Sequence, residues 1–228
     1  MSDSPAAVLW TGGKDSAVAL AEAAERFAEL RLVTFVPAGE PDFKAHPLAL
    51  IEAQAAALPW PHERRVVREP FEQGYERAIA ELRDDGVRTL ITGDIAEVDG
   101  HSNWIEERAR GLCDVWRPLW GAERVPHLRR LVRDGYEVFV SLAERSYRDG
   151  ALAGQRLDAG LLAQLEADHA AGLVDACGEN GEYHTWVLDG PHFTRRLLPR
   201  CAEPAVTAEH RFVTLRSVSF ADSTRATR

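Results

Sequence analysis

Residues 11–16, Thr-Gly-Gly-Lys-Asp-Ser, form a short glycine-rich stretch near the N-terminus, which we call the glycine loop. The apolar run at 6–10 that precedes it is typical of a buried strand, and apolar side chains recur at helical spacing from 15 to 30. A second apolar run at 31–36 completes a βαβ unit. Because ligands in sheets built from such units bind at the carboxyl ends of the strands, the glycine loop is a candidate ligand site.

The alternation of strands and helices continues through the first half of the chain. Strands separated by helices favour a parallel sheet that is covered on both faces and connected by right-handed crossovers. We therefore predict an α/β domain at 1–122. Its further helices are predicted at 47–58, 71–85 and 104–112, and its further strands at 64–67, 89–92 and 114–116.

The regular alternation weakens after residue 122. We predict a smaller α+β domain at 123–228, and we expect the active site to lie in a cleft between the two domains. The helices of this second domain are predicted at 125–134 and 159–171, and its strands at 137–142, 185–188 and 211–220.

Charge and composition narrow the class of protein. The chain has 36 acidic residues against 27 lysines and arginines, so it lacks the basic field that binds a phosphate backbone. The three cysteines are far apart and show no C-x-x-C pattern, which indicates neither a disulfide framework nor a zinc site. Residues 1–7 do not resemble a signal peptide, and no segment reaches the roughly 18 apolar residues of a membrane span. We expect a soluble, cytoplasmic protein that binds neither nucleic acid nor membranes.

Each residue type in the glycine loop suits the binding of phosphate. Gly12 and Gly13 let the backbone bring its N–H groups close to an anion, and Lys14 can add a positive charge. Ser16 offers a hydroxyl donor, and the following helix offers its positive N-terminal end. The loop is not a Walker A motif, because that pattern requires Ser or Thr where Asp15 stands. The alternative is a plain strand-to-helix turn in which Asp15 caps the helix.

A second group of reactive side chains lies at 177–185, Cys-Gly-Glu-Asn-Gly-Glu-Tyr-His-Thr. Glycines flank Glu179 and Glu182, and the imidazole of His184 follows two residues later. A loop of this kind could bind an amine, coordinate Mg²⁺ or relay a proton. The alternative is an acid-rich turn on the solvated surface.

Further candidates each have a structural alternative. His46 precedes a helix that is predicted to begin at residue 47, so its ring either lies over a nucleotide or caps that helix. Asp94 follows a predicted strand, where an acid could bind Mg²⁺ or a ribose. Arg156 and Asp158 could instead form a surface ion pair, which contributes little to stability.

The glycine loop resembles the S-G-G-K-D-S PP-loop of the ATP pyrophosphatases, with Thr11 keeping the hydroxyl of the usual serine. Within that superfamily, further stretches resemble the diphthine–ammonia ligase family, also called the diphthamide synthase domain, and the resemblance covers nearly the whole chain. These stretches are H-P-L at 46–48, Q-A-A-A-L at 54–58, T-G-D-I at 92–95, P-L-W-G at 118–121, G-Q-R-L-D at 154–158 and G-E-N-G-E-Y at 178–183.

This resemblance implies an α/β PP-loop domain of the adenine nucleotide alpha hydrolase-like kind and an enzyme that uses ATP and Mg²⁺. A small-molecule or protein-borne carboxylate would be adenylated with release of pyrophosphate and then joined to ammonia or an amine; a homodimer is compatible with this interpretation. The implied ATP-binding residues are Thr11, Gly12, Gly13, Lys14, Asp15, Ser16, His46, Gly93 and Asp94, of which Asp15 and Asp94 would hold the metal. The implied substrate-binding residues are Arg156, Asp158, Glu179, Asn180, Glu182, Tyr183 and His184. The implied catalytic residues are Lys14, Asp15, Glu179, Glu182 and His184.

The second group departs from the family pattern, which runs E-G-G-E-[FY]-E-[TS]. Asn180 stands at the second position, and His184 replaces the third acid, so a carboxylate has become an imidazole. The change removes a negative charge at neutral pH and disfavours the cationic diphthine side chain as substrate. Chains of the E-N-G-E-[FY]-H-T form resemble a bacterial branch for which a cobalamin-type or another small-molecule acid is the alternative substrate. An ATP-binding sensor and an ATP pyrophosphohydrolase are further alternatives.

Overall fold

The computed structural model describes residues 2, 4–39, 43–97 and 103–222, and the chain divides into two compact units. The first unit comprises the described parts of Met1–Thr11, Asp15–Pro41 and Trp60–Gly121, and the second comprises those of Gly12–Lys14, Asp42–Pro59 and Ala122–Arg228. Two N-terminal segments thus group with the second unit. The domain limits 1–122 and 123–228 stay a prediction.

The first unit is built on a five-stranded parallel sheet. Its strands are β1 (Ala6–Leu9), β2 (Leu30–Pro37), β3 (His62–Val67), β4 (Thr89–Ile91) and β5 (Asp114–Trp116). They lie in the order β3-β2-β1-β4-β5 and pair in parallel throughout. The α/β class is therefore confirmed, and the predicted strands differ from the observed ones only at their ends.

The helices of the first half follow the predicted pattern. They are α1 (Lys14–Arg26), α2 (Leu48–Ala56), α3 (Phe71–Asp84) and α4 (Trp104–Ala109), of which α2 belongs to the second unit. Helix α3 buries Ala78, Ile79 and Leu82 on one face, as expected of an amphipathic helix that covers a sheet. Ile79 and Leu82 share a core with Ala7 of β1 and Val33 of β2. Among the described residues, none of the helices has the length and apolar content needed to span a membrane.

Strand β1 lies at the point where the direction of the sheet's connections reverses. It pairs with β2 on one side and with β4 on the other. In open parallel sheets, a crevice forms at this switch point outside the carboxyl ends of the two strands, and ligands bind there. The glycine loop follows β1, and the T-G-D-I stretch follows β4. The fold thus brings both stretches to the edge where a ligand is expected.

The second unit contains antiparallel strands and two more helices, which confirms the predicted α+β character. The helices are α5 (Arg124–Arg133) and α6 (Ala159–Ala170). The strands are β6 (Glu137–Glu144), β7 (Tyr183–Asp189), β8 (Arg195–Cys201), β9 (Ala205–Val206), β10 (His210–Phe212) and β11 (Leu215–Asp222). One sheet has the order β7-β6-β10-β9, and β11 and β8 form a two-stranded ribbon.

The single strand predicted at 211–220 is wrong. The chain passes from the four-stranded sheet in β10 to the ribbon in β11, with Val213 and Thr214 between them. Val213 is buried and its N–H donates to the Ser141 carbonyl at 2.8 Å, which holds the turning point against β6. Apolar periodicity cannot reveal a strand that changes sheets, because the pattern stays the same on both sides of the change.

Candidate nucleotide-binding site

The first half of the glycine loop, Gly12–Lys14, lies against the edge strand of the antiparallel sheet in the second unit. The Val187 N–H donates to the Gly12 carbonyl at 3.0 Å, and the Lys14 N–H donates to the Thr185 hydroxyl at 3.1 Å. An edge strand presents backbone groups that need partners. Here the loop supplies them, and β7 fixes the backbone of the loop in return.

Gly12 fits its place for two separate reasons. Its φ is +73°, in the left-handed region that glycine adopts without strain. A Cβ at this position would also stand 1.9 Å from Oε1 of Gln54, a fully buried residue of α2. The Gln54 amide donates to the carbonyls of Gly12 and Val187, each at 2.8 Å. Conformation and space therefore both require glycine here.

The side chain of Lys14 is enclosed in the second unit, with only 4% of the residue exposed. Its ammonium donates to the Cys177 carbonyl at 2.6 Å and lies 5.5 Å from the centre of the Tyr183 ring. A carbonyl dipole and an aromatic face both stabilise a buried cation. Lys14 therefore places a held positive charge beside the two glycines, as an anion site requires.

The second half of the glycine loop opens α1 in the first unit. Ser16 is buried, and its hydroxyl oxygen accepts a hydrogen bond from the Thr11 hydroxyl at 3.2 Å. Asp15 lies within the first turn of α1, which begins at Lys14, so the alternative that Asp15 is the residue capping the helix is wrong. Residues 14–16 of the loop thus lie in the first turn of a 13-residue helix, where the helix dipole favours anions.

The loop after β4 approaches the start of α1 closely within the first unit. A Cβ on Gly93 would stand 2.6 Å from the carbonyl carbon of Asp15 and 2.8 Å from the Ser16 nitrogen. Backbone atoms cannot move aside as the end of a flexible side chain can. Glycine at 93 is therefore what lets the T-G-D-I stretch lie against the glycine loop.

Asp94 and Asp15 are the predicted magnesium ligands. One oxygen of Asp94, Oδ2, accepts hydrogen bonds from the Thr92 hydroxyl at 2.6 Å and the Asn103 amide at 2.5 Å. Within the described ranges, no three or more His, Cys, Asp or Glu residues are grouped as a metal cluster. Magnesium that accompanies a nucleotide needs only one or two carboxylates, since phosphates and water complete its coordination. The metal role of the two acids stays a prediction.

The acid-rich segment of the second unit forms a turn that leads into β7. The carboxylate of Glu182 accepts hydrogen bonds from the Asp175 N–H at 2.8 Å, the Asn180 N–H at 3.0 Å and the Asn180 side chain at 3.1 Å. These bonds shape the loop that presents the Cys177 carbonyl to Lys14. Glu179 is half-buried in the same turn. Glu182 thus stabilises the conformation of this turn through hydrogen bonds within it. Its role in substrate binding stays a prediction.

His184 follows on β7 and meets His46 within the second unit. The two rings lie edge to face, with centroids 5.5 Å apart and planes at 85°. His46 is not the N-cap residue of α2, because that position is occupied by Pro47. Adjacent residues of a strand point to opposite faces, so β7 turns Thr185 toward Lys14 and His184 toward His46.

The pKa of His184 lies below its usual value. The main cause is desolvation by the surrounding protein, although part of the residue is open to solvent; the positive charges of Lys14 and His210 add to the effect. The Glu144 carboxylate acts in the opposite direction. The ring is therefore mostly neutral at pH 7, and a neutral imidazole can accept a proton.

Two family models together match most of the chain. The diphthamide synthase N-terminal domain matches residues 4–113, and the diphthamide synthase C-terminal domain matches residues 125–216. The chain belongs to the diphthamide synthase family. This confirms the resemblance inferred from the ordered motifs and, together with the glycine loop, indicates a PP-loop protein that uses ATP.

One solved structure similar to the diphthamide synthase fold of this chain is a predicted subunit of tRNA methyltransferase from Methanocaldococcus jannaschii DSM. The two chains are 18% identical with a TM-score of 0.46, over 82% of this chain and 97% of the other. At this TM-score the likeness supports no conclusion about function. A search of curated proteins found no match.

The family stretch G-Q-R-L-D at 154–158 has structural partners in the second unit. Arg156 forms an ion pair with Glu137, which Arg196 also contacts, and so does not pair with Asp158 as the sequence alternative proposed. Asp158 caps α6, accepting from the Leu161 N–H at 2.9 Å. Binding of substrate by Arg156 and Asp158 stays a prediction.

Sequence reasoning missed two residues that hold the glycine loop of this family member. In the sequence, Thr185 ends the acid-rich segment and begins the strand predicted at 185–188, and Gln54 belongs to the Q-A-A-A-L stretch, so neither position indicates a contact with the loop. A signal for Gln54 was present, since it is a polar residue on the apolar face of α2 whose other inward residues include Leu50 and Ile51. The contacts of Thr185 carry no such signal, because Lys14 lies 171 residues away in the chain.

Proposed function

We propose that the chain is an ATP-dependent ligase that adenylates a carboxylate substrate, releases pyrophosphate and joins the acyl group to ammonia or an amine. The observation that carries the proposal is the enclosed ammonium of Lys14 beside Gly12 and Gly13. A fixed positive charge at the start of a helix can stabilise the negative charge that develops on the departing pyrophosphate. Membership of the diphthamide synthase family supports the use of ATP.

In the first step, a carboxylate oxygen of the substrate attacks the α-phosphorus of ATP. The bond from that phosphorus to the bridging oxygen breaks, and the electron pair leaves with pyrophosphate. The amides of Gly12, Gly13 and Ser16 and the Lys14 ammonium bind the β and γ phosphates and stabilise the leaving group. Asp15 or Asp94 would hold Mg²⁺, which would supply positive charge to the phosphates.

In the second step, the nitrogen of ammonia or an amine attacks the acyl carbon. The bond from that carbon to the phosphate oxygen breaks, AMP leaves, and the nitrogen loses a proton. Glu179, Glu182 and His184 position the carboxylate or the amine. Because the lowered pKa keeps His184 neutral at pH 7, its imidazole is suited to take the proton.

His184 also bears on which acid is activated. A mostly neutral imidazole stands where the family pattern has a carboxylate, so one attraction for a cationic side chain is lost. The replacement favours a small-molecule acid, of a cobalamin-type or another class, over the side chain of diphthine. Diphthine–ammonia ligation is the competing candidate.

An assay with Mg-ATP, isotopically labelled ammonium and a panel of acids tests the proposal. The expected result is equal release of AMP and pyrophosphate that depends on one acid, with the label recovered in an amide. AMP formation at the same rate without any acid would indicate a pyrophosphohydrolase. Nucleotide binding without AMP formation, whichever acid is supplied, would indicate a sensor.

A further inference from the structure

Strand β7 ends its sheet, and the contacts on its outer edge are made by the glycine loop and α2 within the second unit. The strand order β7-β6-β10-β9 leaves one side of β7 without a strand partner among the described residues. On that side, the Val187 N–H binds the Gly12 carbonyl, and the Val187 carbonyl accepts from Gln54. The edge of the sheet is therefore satisfied by the loop that is proposed to bind phosphate.

Two side chains make this attachment specific. The Thr185 hydroxyl, in a residue that is 4% exposed, accepts from the Lys14 N–H at 3.1 Å. Gln54 is fully buried, and its one amide group bridges the carbonyls of Gly12 and Val187. Gly12 and Lys14 flank Gly13, so the loop backbone is held on both sides of its central residue.

Gln54 carries a cost that a purely structural residue would avoid. Its Oε1 is buried and accepts no hydrogen bond from any described residue. Unsatisfied buried acceptors are uncommon in proteins, and leucine or methionine would fill a similar space on α2 without this penalty. The amide is explained by its two donated bonds, because no apolar side chain could hold the Gly12 carbonyl.

We propose that Thr185 and Gln54 are positioning residues that hold the glycine loop in its phosphate-binding shape. They act through the backbone of Gly12 and Lys14 and do not contact the nucleotide. The inference rests on the proposed function for the identity of the ligand. Without these bonds the loop must be ordered when ATP binds, and that ordering weakens the affinity.

Replacing Thr185 tests the inference with little change of shape. Thr185→Val keeps the volume but removes the acceptor, whereas Thr185→Ser keeps the hydroxyl. The loss of one hydrogen bond is expected to weaken Mg-ATP affinity by about three- to tenfold, measured by isothermal titration calorimetry. Thr185→Ser should bind like the wild type. At saturating ATP the rate of AMP release should be retained, so that KM rises while kcat does not.

Two further variants separate positioning from general stability. Gln54→Met removes both donated bonds and should also weaken Mg-ATP binding. Thr194→Val is the control for the loss of a threonine hydroxyl, because the Thr194 hydroxyl donates to the Ala57 carbonyl at 3.0 Å in the same unit and not to the glycine loop. Because Thr194 is exposed and Thr185 is buried, Thr194→Val should lower the unfolding temperature less than Thr185→Val, and it should leave the ATP affinity unchanged.

The outcomes distinguish this inference from the proposed function. Wild-type affinity in a folded Thr185→Val protein overturns the inference, and so does an equal loss of affinity in Thr185→Val, Thr185→Ser and Thr194→Val. A wild-type protein that binds Mg-ATP but forms no AMP contradicts the ligase reaction, and the affinity series still decides the roles of Thr185 and Gln54. A wild-type protein that binds no Mg-ATP contradicts both.

Discussion

The ammonium of Lys14 donates a hydrogen bond to the carbonyl of Cys177, a residue 163 positions later in the chain, at a distance of 2.6 Å. A lysine side chain normally has several freely rotating bonds, and ordering it costs entropy. Here the Lys14 side chain is ordered when the protein folds, so this entropy is not lost again when a ligand binds. Lys14 can therefore present its charge to a ligand with little further ordering.

Lys14→Met should abolish most of the catalysis, because methionine fills a similar space but carries no charge. We expect AMP release to fall by about 100-fold or more, as when a single charge-stabilising donor is removed from an active site. The rate is measured with saturating Mg-ATP and the acid substrate. Lys44, the only other lysine of the chain, is exposed and lies over Phe212 at 5.7 Å, so Lys44→Met is the control. Comparable losses in both variants would contradict a specific role for Lys14.

Gly12→Ala should impair both stability and ATP binding. The added Cβ would meet the Gln54 side chain at 1.9 Å, and the φ of +73° would strain any residue other than glycine. The expected loss in the free energy of unfolding is about 2–4 kcal/mol, the sum of strain and crowding. Gly86→Ala is the matched control, since Gly86 has a φ of +97° but no neighbour within 4 Å. Urea denaturation should show a clearly smaller loss for Gly86→Ala, and equal losses would exclude crowding at Gln54.

The pKa of His184 should respond in opposite directions to two neighbouring substitutions. His210→Asn removes a positive charge and should raise this pKa, whereas Glu144→Gln removes a negative charge and should lower it further. NMR titration of the imidazole signals measures both shifts. Two shifts of the same sign would contradict the electrostatic assignment.

The lowered pKa of His184 also has a consequence for stability. The unfolded chain binds a proton at this residue more readily than the folded chain, so the free energy of unfolding falls as pH drops through the usual histidine pKa of about 6.5. In His184→Gln, the contribution of this residue to the slope of the free energy of unfolding against pH should disappear. Denaturant unfolding between about pH 5 and 7.5 measures the difference, and an unchanged slope would refute the contribution.

Tyr147→Phe should destabilise the second unit without affecting ATP affinity. The Tyr147 hydroxyl donates to Asp168 Oδ2 at 2.5 Å, and both residues are buried. We expect a loss of about 1–3 kcal/mol in the free energy of unfolding. Tyr75→Phe is the control, because the Tyr75 ring packs edge-on against Phe35 and its hydroxyl forms no hydrogen bond with any residue that the structure describes.

The loss in Tyr147→Phe should depend on pH. The Tyr147 hydroxyl is the largest cause of the lowered pKa of Asp168, and a depressed acid pKa stabilises the fold above the unfolded value of about 4. The difference between variant and wild type should therefore be largest near neutral pH and shrink as Asp168 is protonated. A difference that grows as the pH falls would contradict this account.

Local patterns were sufficient for most of the first unit. The helix predicted at 71–85 is observed as α3, because its buried residues repeat at helical spacing and Pro70 precedes it. The strand predicted at 114–116 is β5 with the same bounds. Both elements are defined by neighbours in sequence, and a sequence displays that information directly.

The ribbon of the second unit could not be predicted in this way. Strand β8, Arg195–Cys201, contains three arginines and a proline, so it shows no apolar run. It forms because β11 pairs with it in an antiparallel register from Arg195 opposite Asp222 to Cys201 opposite Leu215. A strand of this kind is stabilised by pairing with its partner strand more than by the β propensity of its own residues.

The sequence by itself determined the chemistry of the glycine loop. Two glycines, a lysine and a hydroxyl between a strand and a helix predict phosphate binding, because backbone freedom, charge and helix polarity are properties of neighbouring residues. Only the tertiary structure decided how that loop is held. Thr185, Cys177 and Gln54 reach it from 171, 163 and 42 residues away. Such contacts depend on the path of the chain and the register of its strands, which no local preference encodes.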